Sequence, residues 1–179
     1  MQAKADVTAN LARFVAGTRW DEIPEAVRHA AKRALLNFFA VAFAGCRTEP
    51  VDLSLKTLAQ FSGGKSATVI GRRERIDALS AAFLNAAGAN VFDYCDTHLP
   101  TVVHPTAPLA PALLAMAELR QVSGPDLLAA FVLGFEIQCR VGLAVSPGHY
   151  PKGWHITSTC GVFGAAAGAA RLLGLSPQQ

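Results

Sequence analysis

Apolar residues recur every three or four positions along most of this 179-residue chain, the spacing that places them on one face of an α-helix. Capping residues such as Asp77 and Ser123 indicate helix starts, and glycines such as Gly45 and Gly174 indicate helix ends. The pattern predicts seven helices, which cover about residues 6–15, 24–44, 50–62, 77–92, 107–122, 123–145 and 157–173.

Two of these helices carry more specific expectations. In the third, we expect Leu55, Leu58 and Phe61 to face the core. In the fifth, we expect Pro108 and Pro111 to be accommodated in the first turn, where a missing N–H costs little.

Between the third and fourth helices, Ala67–Ile70 is the one convincing strand candidate, bounded by glycines and by a basic turn from Arg72 to Arg75. We find no repeat, low-complexity tract or linker. The predicted fold class is therefore all-α and bundle-like, with at most one short strand or hairpin near residues 66–76.

The composition is apolar and weakly charged. Hydrophobic residues make up 51% of the chain and charged residues 16%, and the net charge is +3, whereas about 25% charged residues is usual for a soluble domain. Disorder is excluded by this balance. The scattered basic residues give no nucleic-acid footprint. Because the charged side chains are too few to cover the surface, we expect part of the protein surface to contact a partner, another domain or lipid.

The lipid alternative requires about 20 consecutive apolar residues. The uncharged run Thr97–Ala117 contains four prolines, and Gly153–Ala170 consists mostly of small residues. The Gly164-x-x-x-Gly168 spacing in the second run allows close helix packing, in a membrane or in a buried helix of a soluble protein. We expect this second run to form a buried helix of a soluble protein, and we expect no membrane partner.

The compartment is predicted to be the cytoplasm. Charges at Lys4, Asp6 and Arg13 interrupt the first 17 residues, so we expect no signal peptide. Four cysteines lack zinc or disulfide spacing and are expected to be free thiols: Cys46, Cys95, Cys139 and Cys160.

Ser176–Gln179 has the residues of a new helix start, which suggests a longer gene product.

A first cluster of chemically capable side chains follows the fourth predicted helix. Two carboxylates, a hydroxyl and two imidazoles lie within a dozen residues: Asp93, Asp96, Thr97, His98 and His104. A loop held by a rigid helix is a common place for catalytic groups. The alternative is that the aspartates only cap helices or form turns, and that His104 is a satisfied polar residue.

A second cluster precedes the seventh helix. His155 lies where free backbone N–H groups and the helix dipole favour an anionic ligand, and Thr157, Ser158 and Thr159 add hydroxyls. The alternative is that these are capping residues and a loop histidine. Imidazoles and carboxylates can move protons. Since metal-ligand spacing and nucleotide-binding glycine motifs are absent from the sequence, we expect no metal and no cofactor.

The two clusters carry a resemblance. D-Y-x-D-T-H…H-P-T is followed about fifty residues later by G-W-H-x-T-x-T-x-G-x-F-G-A-A-A. Together they resemble the MmgE/PrpD family, which includes 2-methylcitrate dehydratase, cis-aconitate decarboxylase and iminodisuccinate epimerase. Members of that family pair a large helical domain with a smaller α/β lid domain, and they dimerise. The resemblance implies that residues 1–179 are the N-terminal portion of the helical domain, with the lid domain outside this chain.

Carried over residue by residue, the resemblance places the family's active-site positions on Asp93, Thr97, His104 and His155. We expect His104 to be the main proton-transfer group, with Asp93 orienting it or a substrate hydroxyl. The predicted catalytic residues are His104, Asp93 and His155, and the predicted substrate-binding residues are Thr97, Asp96 and Thr157.

The resemblance implies a cofactor-free lyase, a dehydratase or decarboxylase of small di- or tricarboxylates, of the kind used in propionate catabolism. The expected partners are a small polycarboxylate and a second copy of the chain. Two alternatives stay open: an isomerase or epimerase of a small dicarboxylate, and a truncated, inactive helical module that only dimerises. We expect activity from the full-length protein and none from this segment alone.

Overall fold

A computed structural model describes residues 6–179. Lys4, which entered the signal-peptide prediction, lies outside the described residues. Within them the chain forms seven α-helices and one short hairpin, which confirms the all-α prediction. The helices are α1 Val7–Gly17, α2 Glu25–Gly45, α3 Glu49–Leu58, α4 Ala78–Asn90, α5 Thr106–Leu119, α6 Gly124–Val145 and α7 Ile156–Leu173.

The helix ends follow the predicted signals. Asp77 accepts a hydrogen bond from the Ser80 N–H at the start of α4, and Ser123 accepts one from the Asp126 N–H at the start of α6. Each of these bonds satisfies an otherwise unpaired first-turn donor. Gly174 ends α7 with φ of 67°, a left-handed conformation that glycine adopts without steric cost.

The hairpin is shorter than the predicted strand. Strand β1 is Ala67–Thr68, and it pairs antiparallel with β2, Arg75–Ile76, so that Ala67 lies opposite Ile76. A turn at residues 70–73 follows this two-residue ladder, and at the base of the turn the Val69 N–H donates to the Glu74 carbonyl at 3.3 Å. The ladder packs against α4 and α5.

Two local expectations are wrong. Phe61 is 80% exposed because α3 ends at Leu58, so the helical periodicity no longer applies at position 61. Pro111 lies inside α5, in its second turn, because the helix already begins at Thr106. Pro111 has no N–H to donate to the Ala107 carbonyl one turn earlier.

Small residues let α7 pack directly on its neighbours. A Cβ added to Gly164 would lie 2.7 Å from the Gly134 carbonyl oxygen on α6, and one added to Gly168 would lie 3.1 Å from the Ala130 carbonyl oxygen. The Gly-x-x-x-Gly spacing thus serves helix packing within the chain. By length and composition alone, α6 and α7 could also cross a membrane, a property shared by core helices of soluble proteins.

The main core lies between α2, α5 and α6, where Phe38, Leu109, Leu113 and Phe131 are almost completely buried. A smaller buried apolar group joins the loop before α5 to the first turn of α7 through Val103, Ile156 and Cys160. This packing brings the start of α5 and the start of α7 to the same place in the fold.

Candidate active site

The segment between α4 and α5 folds back on itself. The His98 N–H donates to the Val103 carbonyl at 2.8 Å, and the Thr101 N–H donates to the His98 carbonyl at 3.0 Å. Asp93 and Val102 have φ of 57° and 51°. Aspartate adopts this left-handed conformation fairly readily, but a β-branched valine does so only under strain. The fold of this segment brings Asp93 close to His104.

His104 is held through one nitrogen of its ring. Its Nδ1 lies 3.1 Å from the Asp96 backbone carbonyl oxygen and 3.2 Å from the Thr97 Oγ1. Because a carbonyl oxygen can only accept, Nδ1 carries the proton in the neutral ring. The other nitrogen, Nε2, is left unprotonated and lies 3.7 Å from the Asp93 Oδ1. His104 can therefore accept a proton at Nε2, which faces the Asp93 carboxylate.

Asp96 uses its side chain at the start of α5. One carboxylate oxygen accepts the Thr106 N–H at 3.2 Å, and the other accepts the Thr106 hydroxyl at 2.6 Å. Burial raises the pKa of this carboxyl, and the bonds from Thr106 oppose that rise. The geometry gives Asp96 the capping role that the sequence left as an alternative, while its contact with substrate stays a prediction.

Thr157 joins the two predicted clusters. It is buried in the first turn of α7, and its Oγ1 accepts the backbone N–H of His104 at 3.0 Å. Since His155 lies two positions before Thr157, the structure brings the two histidine-bearing segments together.

His155 is exposed and precedes the first turn of α7. Its Nδ1 lies 2.9 Å from the Ser158 Oγ, and the Tyr150 ring meets its ring edge-on at 6.1 Å between centroids. His149 stacks on Trp154 and its Nε2 lies 2.7 Å from the Thr159 Oγ1. An exposed imidazole beside the free N–H groups of a helix start is suited to binding a carboxylate.

Gln138 contacts the candidate site, although the sequence motifs did not single it out. This α6 residue is completely buried, and its Nε2 donates to the Pro105 carbonyl at 2.7 Å. The sequence did contain a signal for this residue, because Ala130, Gly134 and Gln138 are spaced four residues apart and so lie on one face of the helix. Gln138 is the polar member of that face, and a polar residue at a core position usually has a specific partner.

A cleft of about 350 Å³ lies between α2 and residues 94–96. Arg33 and Asn37 line it from α2, and the Asn37 Nδ2 donates to the Tyr94 carbonyl at 3.2 Å. Cys95 also lines the cleft, and burial raises the pKa of its thiol to about 11, so it stays neutral. Across residues 6–179, the structure groups no three His, Cys, Asp or Glu side chains that could hold a metal ion.

Comparison with known proteins gives one family and several similar relatives. The family model for the MmgE/PrpD N-terminal domain matches residues 9–179. The chain is 33% identical to the cis-aconitate decarboxylase-like protein oryM of Aspergillus oryzae, over 97% of the chain and 38% of that protein. It is 32% identical to the cis-aconitate decarboxylase of Mus musculus, over 95% of the chain and 36% of that enzyme. The match to the cis-aconitate decarboxylase of Homo sapiens has the same identity and coverage. The chain therefore spans a little over a third of the length of these relatives.

Proposed function

Since the chain belongs to the MmgE/PrpD family, we propose that its protein is a lyase that removes carbon dioxide or water from small di- or tricarboxylates by acid–base chemistry, without a cofactor. The observation that carries the proposal is the arrangement of His104. Its Nδ1 is held by the Asp96 carbonyl, and its Nε2 lies beside the Asp93 carboxylate. The relatives named as cis-aconitate decarboxylases favour decarboxylation over dehydration.

The proposed decarboxylation needs one proton from the protein. As the carbon–carbon bond to the departing carboxylate breaks, carbon dioxide leaves and the bonding electrons stay in the remaining skeleton. Protonated His104 delivers a proton from Nε2 to carbon, and the neutral ring is then reprotonated from water. Asp93, which lies beside Nε2, orients the ring for this transfer. A positioned acid–base group of this kind contributes typically about 10²–10⁴-fold to the rate.

Dehydration would use the same imidazole in the opposite sense. Neutral His104 takes a proton at Nε2 from the carbon beside a carboxylate and passes that proton to the hydroxyl on the next carbon, which then leaves as water. The imidazole is thus able to serve either reaction, and the substrate decides which bond breaks.

The substrate carboxylates need positive or hydrogen-bonding partners. We assign this role to His155, to Thr97 and to the free N–H groups at the start of α7. Thr157 and Asp96, which the sequence also suggested as substrate ligands, are engaged with the backbone of residues 104–106.

The reaction can be identified with the complete gene product in deuterated water, with cis-aconitate and 2-methylcitrate offered separately. We expect proton NMR to show loss of carbon dioxide from cis-aconitate and one deuterium in the product. Loss of water from 2-methylcitrate alone would indicate a dehydratase. Deuterium exchange without loss of a group would favour an epimerase, and absence of any turnover would favour a helical dimerisation module.

We further propose that the protein works as a homodimer in the cytoplasm. The support for the homodimer is a set of large apolar side chains that the chain leaves in contact with solvent, including Leu36 at 71% and Leu79 at 85% exposure, with Phe43 and Phe83 on the same two helices. In sedimentation, the chain should run as a species heavier than its 18.8 kDa. A stable monomer that binds no hydrophobic dye would contradict this proposal.

A further inference from the structure

Two buried side chains from other helices hold the backbone on either side of the His104–Pro105 bond. The Thr157 Oγ1 of α7 accepts the His104 N–H at 3.0 Å, and the Gln138 Nε2 of α6 donates to the Pro105 carbonyl at 2.7 Å. Neither side chain touches the imidazole ring through these bonds. Both act on the peptide units that carry it.

We propose that Gln138 and Thr157 are positioning residues for the proton transfer by His104. By fixing the backbone at positions 104 and 105, they keep Nδ1 bonded to the Asp96 carbonyl and leave Nε2 beside Asp93. This inference rests on the proposed function, in which His104 moves the proton.

The surroundings of Gln138 support a specific role for its amide. The residue is 0% exposed, and its Oε1 has no hydrogen-bond partner within the described part of the chain. A buried polar atom without a partner costs free energy, and an apolar side chain of the same length would avoid that cost. The contribution that an apolar side chain could not replace is the bond to Pro105.

The bonds also act on a segment with little freedom of its own. A residue that precedes proline is restricted to extended backbone conformations, so His104 has a narrow range even without its partners. With its N–H and the next carbonyl held, the ring can still turn only about its own side-chain bonds. The bond from Nδ1 to the Asp96 carbonyl then selects one orientation. A displacement of a reacting group by about 1 Å can cost about 100-fold in rate.

The first test compares Gln138→Met with Leu133→Met in the complete gene product. Leu133 is buried on the same helix, five residues before Gln138, and the exchange of leucine for methionine conserves volume. We expect Gln138→Met to lower kcat for cis-aconitate at least tenfold with KM changed less than twofold, whereas Leu133→Met leaves both unchanged. In ¹⁵N-histidine NMR, the His104 signal should change from the Nδ1–H form to a mixture of both tautomers in Gln138→Met only.

A second pair keeps the proposal testable if Gln138→Met does not fold. Thr157→Val removes the acceptor for the His104 N–H, and Thr157→Ser retains it. We expect the valine variant to lose kcat and to show the mixed tautomer signal, and the serine variant to restore both. An unchanged tautomer and a kcat within threefold of the unmodified protein, in Gln138→Met or in Thr157→Val, would overturn the proposal.

The NMR measurement separates this inference from the proposed function. If the unmodified protein turns over neither cis-aconitate nor 2-methylcitrate but both variants shift the His104 tautomer, the proposed function fails and the positioning role stands. If the enzyme is active and the tautomer does not respond, the positioning role fails alone.

Discussion

Replacing Asp96 by alanine should destabilise the fold by removing the group that caps α5. The Asp96 carboxylate accepts both the backbone N–H and the hydroxyl of Thr106, and Thr106 is 1% exposed. In Asp96→Ala both donors would be left at the buried start of α5 without their acceptor. A substrate ligand would have no such effect on the free protein.

The magnitude follows from these two bonds. Loss of a capping side chain costs about 0.5–2 kcal/mol, and hydrogen bonds to charged groups contribute about 1.5–3 kcal/mol each. Removing the carboxylate also relieves the cost of burying its charge, which offsets part of the loss. We expect a net loss of about 2 kcal/mol. For a chain of this length that corresponds to a drop in Tm of roughly 4–8 °C.

The dependence on pH has a defined sign. Burial raises the Asp96 pKa in the folded state above its usual 3.8. A raised pKa means that the stabilisation from protonated Asp96 is fully present below about pH 3.8 and is lost as the pH rises through the higher folded value. Asp96→Asn removes this titration. Lowering the pH from 7 to 4 should therefore raise the free energy of unfolding of the unmodified chain relative to that of Asp96→Asn.

Thermal and urea denaturation of the chain measure both effects. Asp93→Asn is the matched control, because Asp93 lies in the same segment but is exposed, and asparagine tolerates its left-handed backbone. Its Tm should change by less than 1 °C. If Asp96→Ala also leaves Tm within 1 °C and raises only KM in the complete enzyme, Asp96 binds substrate and the capping argument is wrong.

Two further predictions concern packing and thiol chemistry. A Cβ on Gly45 would lie 2.0 Å from the Gly88 carbonyl oxygen, so Gly45→Ala should lower the free energy of unfolding in urea by about 3 kcal/mol. Gly63 has nothing within 4 Å of such a Cβ, so the free energy of unfolding of Gly63→Ala should stay within about 0.5 kcal/mol of the unmodified value. Equal losses in the two variants would refute the close contact between α2 and α4 at Gly45 and Gly88. Burial raises the thiol pKa of Cys95 to about 11 and of Cys139 to about 12, so iodoacetamide at pH 8 should modify both at least ten times more slowly in the folded chain than in urea. Mass spectrometry that finds equal rates would contradict this.

The helices could be predicted because their signals are local. The apolar period, the caps Asp77 and Ser123 and the stop at Gly174 each act within a few residues, and the structure places the helices within about four residues of the predicted limits. Phe61 was misplaced because no strong signal marks the end of α3 at Leu58, three residues before it. Periodicity alone does not show where a helix stops.

The roles of individual site residues were harder to predict, because they depend on contacts between distant parts of the chain. Sequence spacing placed His104, Asp93 and His155 in two promising segments. It could not show that the Asp96 side chain caps α5 while its carbonyl holds His104. The contact of Gln138 with Pro105 joins elements that only tertiary packing brings together.

The central claim is that His104 moves the proton in the reaction of this protein. The most direct measurement is kcat of the complete gene product for cis-aconitate, compared between the unmodified enzyme, His104→Ala and His29→Ala. His29 is the control because it is an exposed histidine of α2. We predict that His104→Ala lowers kcat by about 10²–10⁴-fold, that Asp93→Asn lowers it by less, and that His29→Ala leaves it unchanged. A folded His104→Ala enzyme with kcat within threefold of the unmodified protein would contradict the claim.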